Sequence, residues 1–140
     1  MKQFYFYKIK KEFEIMLKKE MLYVFYDLIT RNNQKEFELV QINNMIDTIN
    51  REEISKKIIE EFSNSNYFNV NNAGDFTINN NISDDFEILS IKKDHILLES
   101  KNNNSKFLKF ISLHYPSYVI IDEDNKQISS LRLVNPLQIS

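Results

Sequence analysis

The chain has 140 residues and one glycine, Gly74. That scarcity removes several architectures at once. Phosphate-cradling loops and dinucleotide fingerprints need several glycines, because the backbone must approach the ligand closely and turn sharply. Turns must therefore be made by other residues. Asparagine is clustered between apolar stretches, at Asn71-Asn72, Asn79-Asn80-Asn81 and Asn102-Asn103-Asn104. It tolerates left-handed backbone conformations, so these asparagines are expected to take the turn positions that glycine usually fills. An AT-rich genome would also enrich asparagine, lysine and isoleucine through codon composition alone.

There is no cysteine, which excludes a disulfide scaffold, a thiolate zinc site and a cysteine nucleophile. Eighteen Lys and Arg against twenty Asp and Glu give a net charge of -2. A dedicated nucleic-acid binder would show a basic balance instead, so no direct nucleic-acid partner is expected. No apolar run approaches the roughly 20 residues that span a bilayer. The opening residues lack the apolar core and small-residue cleavage site of a signal peptide. The expectation is a cytoplasmic chain, residues 1–140 forming one domain, with no membrane partner.

Residues 3 to 9 alternate aromatics with other side chains and suit a strand. Lys10 to Ile29 reads as a helix with two apolar stripes. Phe13, Met16, Leu17, Met21, Val24 and Leu28 form one, and Ile15, Leu22, Phe25 and Ile29 form the other. One stripe should cover a sheet. The other needs a second neighbour, inside the chain or outside it. Residues 37 to 40 suit a short extended segment and residues 41 to 50 a short helix. Asn50, with Glu53 three residues on, predicts the start of a further helix carrying Ile54, Ile58 and Phe62.

Strand patterns follow at residues 67–70 and 76–78. A hairpin is expected around Lys92-Lys93-Asp94, and a helix over residues 105–113 with Ser105 as its cap. A buried strand at residues 118–121, a turn at Asp122-Glu123-Asp124-Asn125 and a last strand over 128–134 complete the pattern. The order predicts an α/β fold, with α+β as the open alternative: a mixed sheet of about five strands with helices packed on it.

No enzyme signature emerges. His95 sits beside Asp94 in the hairpin turn, and His114 ends a helix, where the dipole alone favours it. Neither has a metal-type partner at helical spacing. The Asp122–Asn125 run lacks the glycine and distal glutamate of a calcium loop. Glu52, Glu53, Glu60 and Glu61 form a solvated helix face, and the lysine pairs lie beside carboxylates. No cofactor or metal is expected.

Residues 5 to 13, Tyr5-Phe6-Tyr7-Lys8-Ile9-Lys10-Lys11-Glu12-Phe13, resemble the opening of the SirA family, sporulation inhibitors of replication. Its members begin Tyr-x-Tyr-x-Ile-x-x-Glu-Phe. Phe37-Glu38-Leu39 with Gln41-Ile42 and Ile46 is similar to the family's second block. Asp94-His95-Ile96 sits where the family has an acidic residue, a histidine and an aliphatic strand. Pro116 to Asp122, and Leu133-Val134-Asn135-Pro136, resemble its last two blocks. The blocks occur in the same order along most of the chain.

The resemblance implies a cytoplasmic, non-enzymatic protein that binds domain I of the replication initiator DnaA and restrains initiation. It places the partner-facing surface at Phe13, at Leu17 four residues on, and at a polar residue of the second block, for which both Gln41 and Asn44 qualify. Lys10 and Glu20 would join the polar rim. Leu17 stands where the family has an aromatic, and Lys18-Lys19-Glu20 where it has Gly-Arg-Glu. Arg132 or Leu133 replaces the aromatic before the terminal Leu-Asn-Pro. These departures bear on partner specificity more than on fold. Two other functions compete: a small-ligand-binding or acyltransferase-like α/β domain, which the missing glycines disfavour, and a structural homodimer joined through the apolar stripe.

Overall fold

β1 (Lys2–Tyr7) carries aromatics on both of its faces and lies inside the sheet, with both faces covered. Phe4 and Phe6 point to one layer and Tyr5 and Tyr7 to the other. The computed structural model describes residues 1–14, 26–27, 44–101, 104–130 and 137–138. After β1 come a four-residue helix α1 (Lys11–Glu14), α2 (Arg51–Phe62), β2 (Phe68–Val70), β3 (Phe76–Asn80), β4 (Asp85–Ile91) and β5 (Ile96–Ser100). They are followed by α3 (Lys106–His114), β6 (Val119–Asp122), β7 (Gln127–Ser130) and a two-residue β8 (Leu137–Gln138).

The strands form one sheet in the order β2-β3-β4-β5-β1-β6-β7-β8, and every pairing is antiparallel. The expected mixed sheet of about five strands is corrected on both counts. Short turns link β2 through β5 into successive hairpins, and another links β6 to β7. Then β1 enters between β5 and β6, opposite in direction to both. No helical crossover joins parallel neighbours among the described strands, so the architecture is α+β rather than α/β.

Two apolar layers sandwich this sheet. On one face, Ile54 and Ile58 of α2 and Phe107, Phe110 and Ile111 of α3 press onto Phe6, Ile78, Leu89, Ile96, Leu98 and Ile120. Phe62 ties the two helices, meeting Phe107 edge-on at 5.2 Å and stacking on Phe68 at 5.8 Å. On the other face, Tyr7, Val119, Ile121 and Ile128 pack with Ile9 and Met45, flanked by half-buried Phe13, Tyr26 and Ile46. Each fully buried aliphatic or aromatic side chain contributes roughly 1.5–3 kcal/mol.

The helix starts agree with the sequence. Asn50 caps α2 by accepting from the Glu53 amide, and Ser105 caps α3 by accepting from the Leu108 amide. The turn chemistry differs from expectation. Among the described residues, the non-glycine left-handed positions are Asp84 and Lys126, not asparagines. Asparagine makes turns with its side chain instead. Asn71 Oδ1 accepts from the Ala73 and Asp75 amides, and Asn80 Oδ1 from those of Ile82 and Ser83. Gly74 has φ +83°, a left-handed conformation that favours glycine, and the tip of the flexible Arg51 side chain lies 2.8 Å from where a Cβ would sit.

Of the helix expected over residues 10–29, the described parts are α1 and the helical pair Tyr26-Asp27; its remainder lies outside the described residues, as does the extended segment expected at 37–40. The helix expected over residues 41–50 is corrected in its described part. Helical conformation covers Asn44 and Met45, Ile46 forms a bridge, and residues 47–50 are irregular.

Candidate partner-binding face

β1 ends at Tyr7, yet the chain stays extended to Ile9, which forms an antiparallel bridge with Ile46. The Asp47 amide donates to the Lys8 carbonyl at 2.7 Å, and the Lys10 amide donates to the Met45 carbonyl at 2.9 Å. A half-exposed ion pair, Lys8 Nζ to Asp47 at 3.7 Å, lies along the same seam. Residues 8–10 and 45–47 are thereby stitched together, which satisfies backbone groups of two segments outside the regular strands. The apolar side chains of the seam, Ile9 and Met45, are buried on the second layer.

Three of the site residues expected from the sequence lie at or beside this seam. Lys10 is half-buried and immediately precedes α1, with the Phe13 amide donating to its carbonyl at 2.9 Å. Phe13 is half-buried, one side of its ring resting on the second apolar layer. The side chain is thus neither a free surface anchor nor a sealed core residue. Asn44 is exposed and adjoins Met45, whose carbonyl holds Lys10. Lys10, Phe13 and Asn44 thus share one neighbourhood. Leu17, Glu20 and Gln41 lie outside the described residues.

The flank of the seam is aromatic. His95 leans on the rings of Tyr5 and Tyr7, with centroids at 6.1 and 5.8 Å, and its Nδ1 lies 2.7 Å from an Asp94 carboxylate oxygen. Burial first and Asp94 second push the Tyr7 phenol up to about 12, so it stays neutral at ordinary pH. The Asp122–Asn125 run is a hairpin turn whose carboxylates serve the fold. Asp122 accepts from the Asn125 amide and side chain, Asp124 from the Gln3 amide, and Glu123 from Lys126. Among the described residues no three His, Asp or Glu side chains converge in a way that would hold a metal ion.

Sequence reasoning missed Glu87. Its carboxylate is 2 % exposed and accepts from Ser105 Oγ and from the Lys106 and Phe107 amides at 2.7 to 3.0 Å. Three donors at a helix start hold a buried charge there, and the same contacts pin α3 to β4. An acidic residue among the apolar residues of a strand was the available signal. Without the register it reads as an outward-facing position.

No protein-family profile matches the chain, and no curated protein sequence matches it significantly. No helix among the described residues is long and apolar enough to cross a membrane.

Proposed function

We propose that this chain is a non-enzymatic inhibitor of replication initiation that binds domain I of the initiator DnaA through the face around Phe13. Support comes from the way the separate sequence blocks that resemble the SirA family gather on one strand. Ile9 of the first block bridges Ile46 of the second. His95 of the third packs on Tyr5 and Tyr7 of the first. Val119 to Asp122 of the fourth pairs with Phe4 to Tyr7. Residues remote in the chain therefore surround the same few side chains, as a shared functional scaffold requires.

In this reading Phe13 is the apolar anchor, joined by Leu17 four residues on in the sequence, with Lys10, Glu20, Gln41 and Asn44 as the polar rim. The inhibitor works by occupancy. Domain I mediates initiator self-association, and covering it hinders assembly at the origin without contact to DNA. Residence in the cytoplasm belongs to the same proposal. The test is a calorimetric titration with isolated DnaA domain I. Saturable one-to-one binding is expected, with Phe13→Ala weakening it by about 2 kcal/mol, roughly thirtyfold. No heat of binding at the highest workable concentration, or equal binding by the variant, sinks the proposal.

A further inference from the structure

The α2–α3 layer lies on the opposite face of the sheet and carries a groove of its own. Phe62 and Phe110 form its floor, and Leu113, 76 % exposed, forms one wall. On α3 the residues Lys106, Lys109 and Leu113 follow one another at roughly one-turn spacing, so they lie on one stripe of the helix. That stripe faces away from Phe107 and Ile111, which are buried on the sheet. A large exposed leucine one turn beyond two lysines is not needed to complete the core.

We propose that this groove docks an acidic amphipathic segment of another protein. Size and charge both select that occupant. The groove encloses about 240 Å³ and is open to solvent. Pockets that swallow a whole small molecule run to about 300–1,000 Å³. A groove of this size instead takes one bulky apolar side chain presented by a larger partner, in the manner of a helix laid into a helical groove. The rim is cationic in a chain whose net charge is -2. Lys106 and Lys109 are exposed, and neither is in an ion pair with any described residue. Glu61 is the single carboxylate in the lining and is likewise unpaired. A partner with a leucine or phenylalanine flanked by carboxylates a helical turn apart meets the apolar floor and both lysines. Such a partner leaves the Phe13 face free, so this inference stands whether or not that face binds DnaA.

The probe is a short helical peptide with leucines at i and i+4 flanked by glutamates, titrated into the isotope-labelled full chain and followed by amide shifts. A control peptide carries glutamine in place of every glutamate. Saturable shifts are expected in residues 106–114 and 61–62. Affinity should fall at least about tenfold for the glutamine peptide and for the Lys106→Gln/Lys109→Gln chain, and should weaken with added salt. Leu113→Ala, a change at an exposed position, should weaken it without moving the unfolding midpoint, and serves as the test if the lysine variant folds poorly. Absence of binding, equal binding of both peptides, or shifts confined to other elements overturns the proposal. So does Leu113-dependent self-association of the chain alone, which makes a second copy the occupant.

Discussion

Glu87 shows how one side chain can join a helix to a sheet. A strand carboxylate buried at 2 % exposure would be costly alone, but here three donors at the start of α3 surround it. The contact also spares two amides at the helix start from being buried without partners. Glu87→Gln keeps the size, removes the charge and places an NH₂ against one of these donors. It should cost about 1–3 kcal/mol of stability, read as a lower midpoint in chemical unfolding; an unchanged midpoint would mean that the cap is redundant. Gly74 works at the same scale with the opposite chemistry, since its backbone takes a left-handed φ of +83° that a side chain would strain.

At the scale of the element, α2 shows how spacing assigns a face. Ile58 is fully buried while its neighbour Ile59 is 46 % exposed, because consecutive helical residues are about 100° apart. Ile58→Ala should therefore destabilise the chain by about 2–5 kcal/mol, whereas Ile59→Ala should stay near 0.5 kcal/mol or below. Thermal unfolding of the two variants side by side decides it, and similar losses would place Ile59 in the core after all. The edge strand β2 is an element with a different problem. Its outward amides are already used locally, Phe68 toward the Ser65 carbonyl at 3.4 Å and Val70 toward Asn69 Oδ1 at 2.9 Å. A short edge with occupied donors is a poor template for pairing with another chain.

For the molecule as a whole, the two faces of the sheet answer to alkali together. Burial raises the Tyr118 phenol on the α2–α3 face and lifts Tyr7 to about 12 on the other. Tyr115 is raised too, by burial and then by Glu53. A phenol with a folded-state pKa above its unfolded value of 10 favours folding in its neutral form. That contribution is complete below pH 10 and is lost as pH climbs toward 12. Tyrosinate absorbance should show Tyr7, Tyr115 and Tyr118 lagging the rest of the seven tyrosines, with stability falling over the same window. All seven titrating together near the ordinary value, with no loss of stability, would contradict the burial of these rings.

The features legible in the sequence are those set by neighbours along the chain. Asn50 and Ser105 accept from amides three residues ahead, and Ile54, Ile58 and Phe62 repeat with the helix turn, so both longer helices and their inner faces follow from local spacing. Strand patterns at residues 67–70, 76–78 and 118–121, read from short apolar runs, become strands at 68–70, 76–80 and 119–122. What the tertiary structure decided depends on partners far away in sequence. Pairing Lys2 with Ser100 and Phe4 with Asp122 places β1 between β5 and β6, and that placement makes the sheet antiparallel. The Ile9–Ile46 seam and the three donors around Glu87 exist only in that register. Local periodicity tells a residue which way to face, but strand order is a competition among distant segments, and only the assembled core settles which of them win.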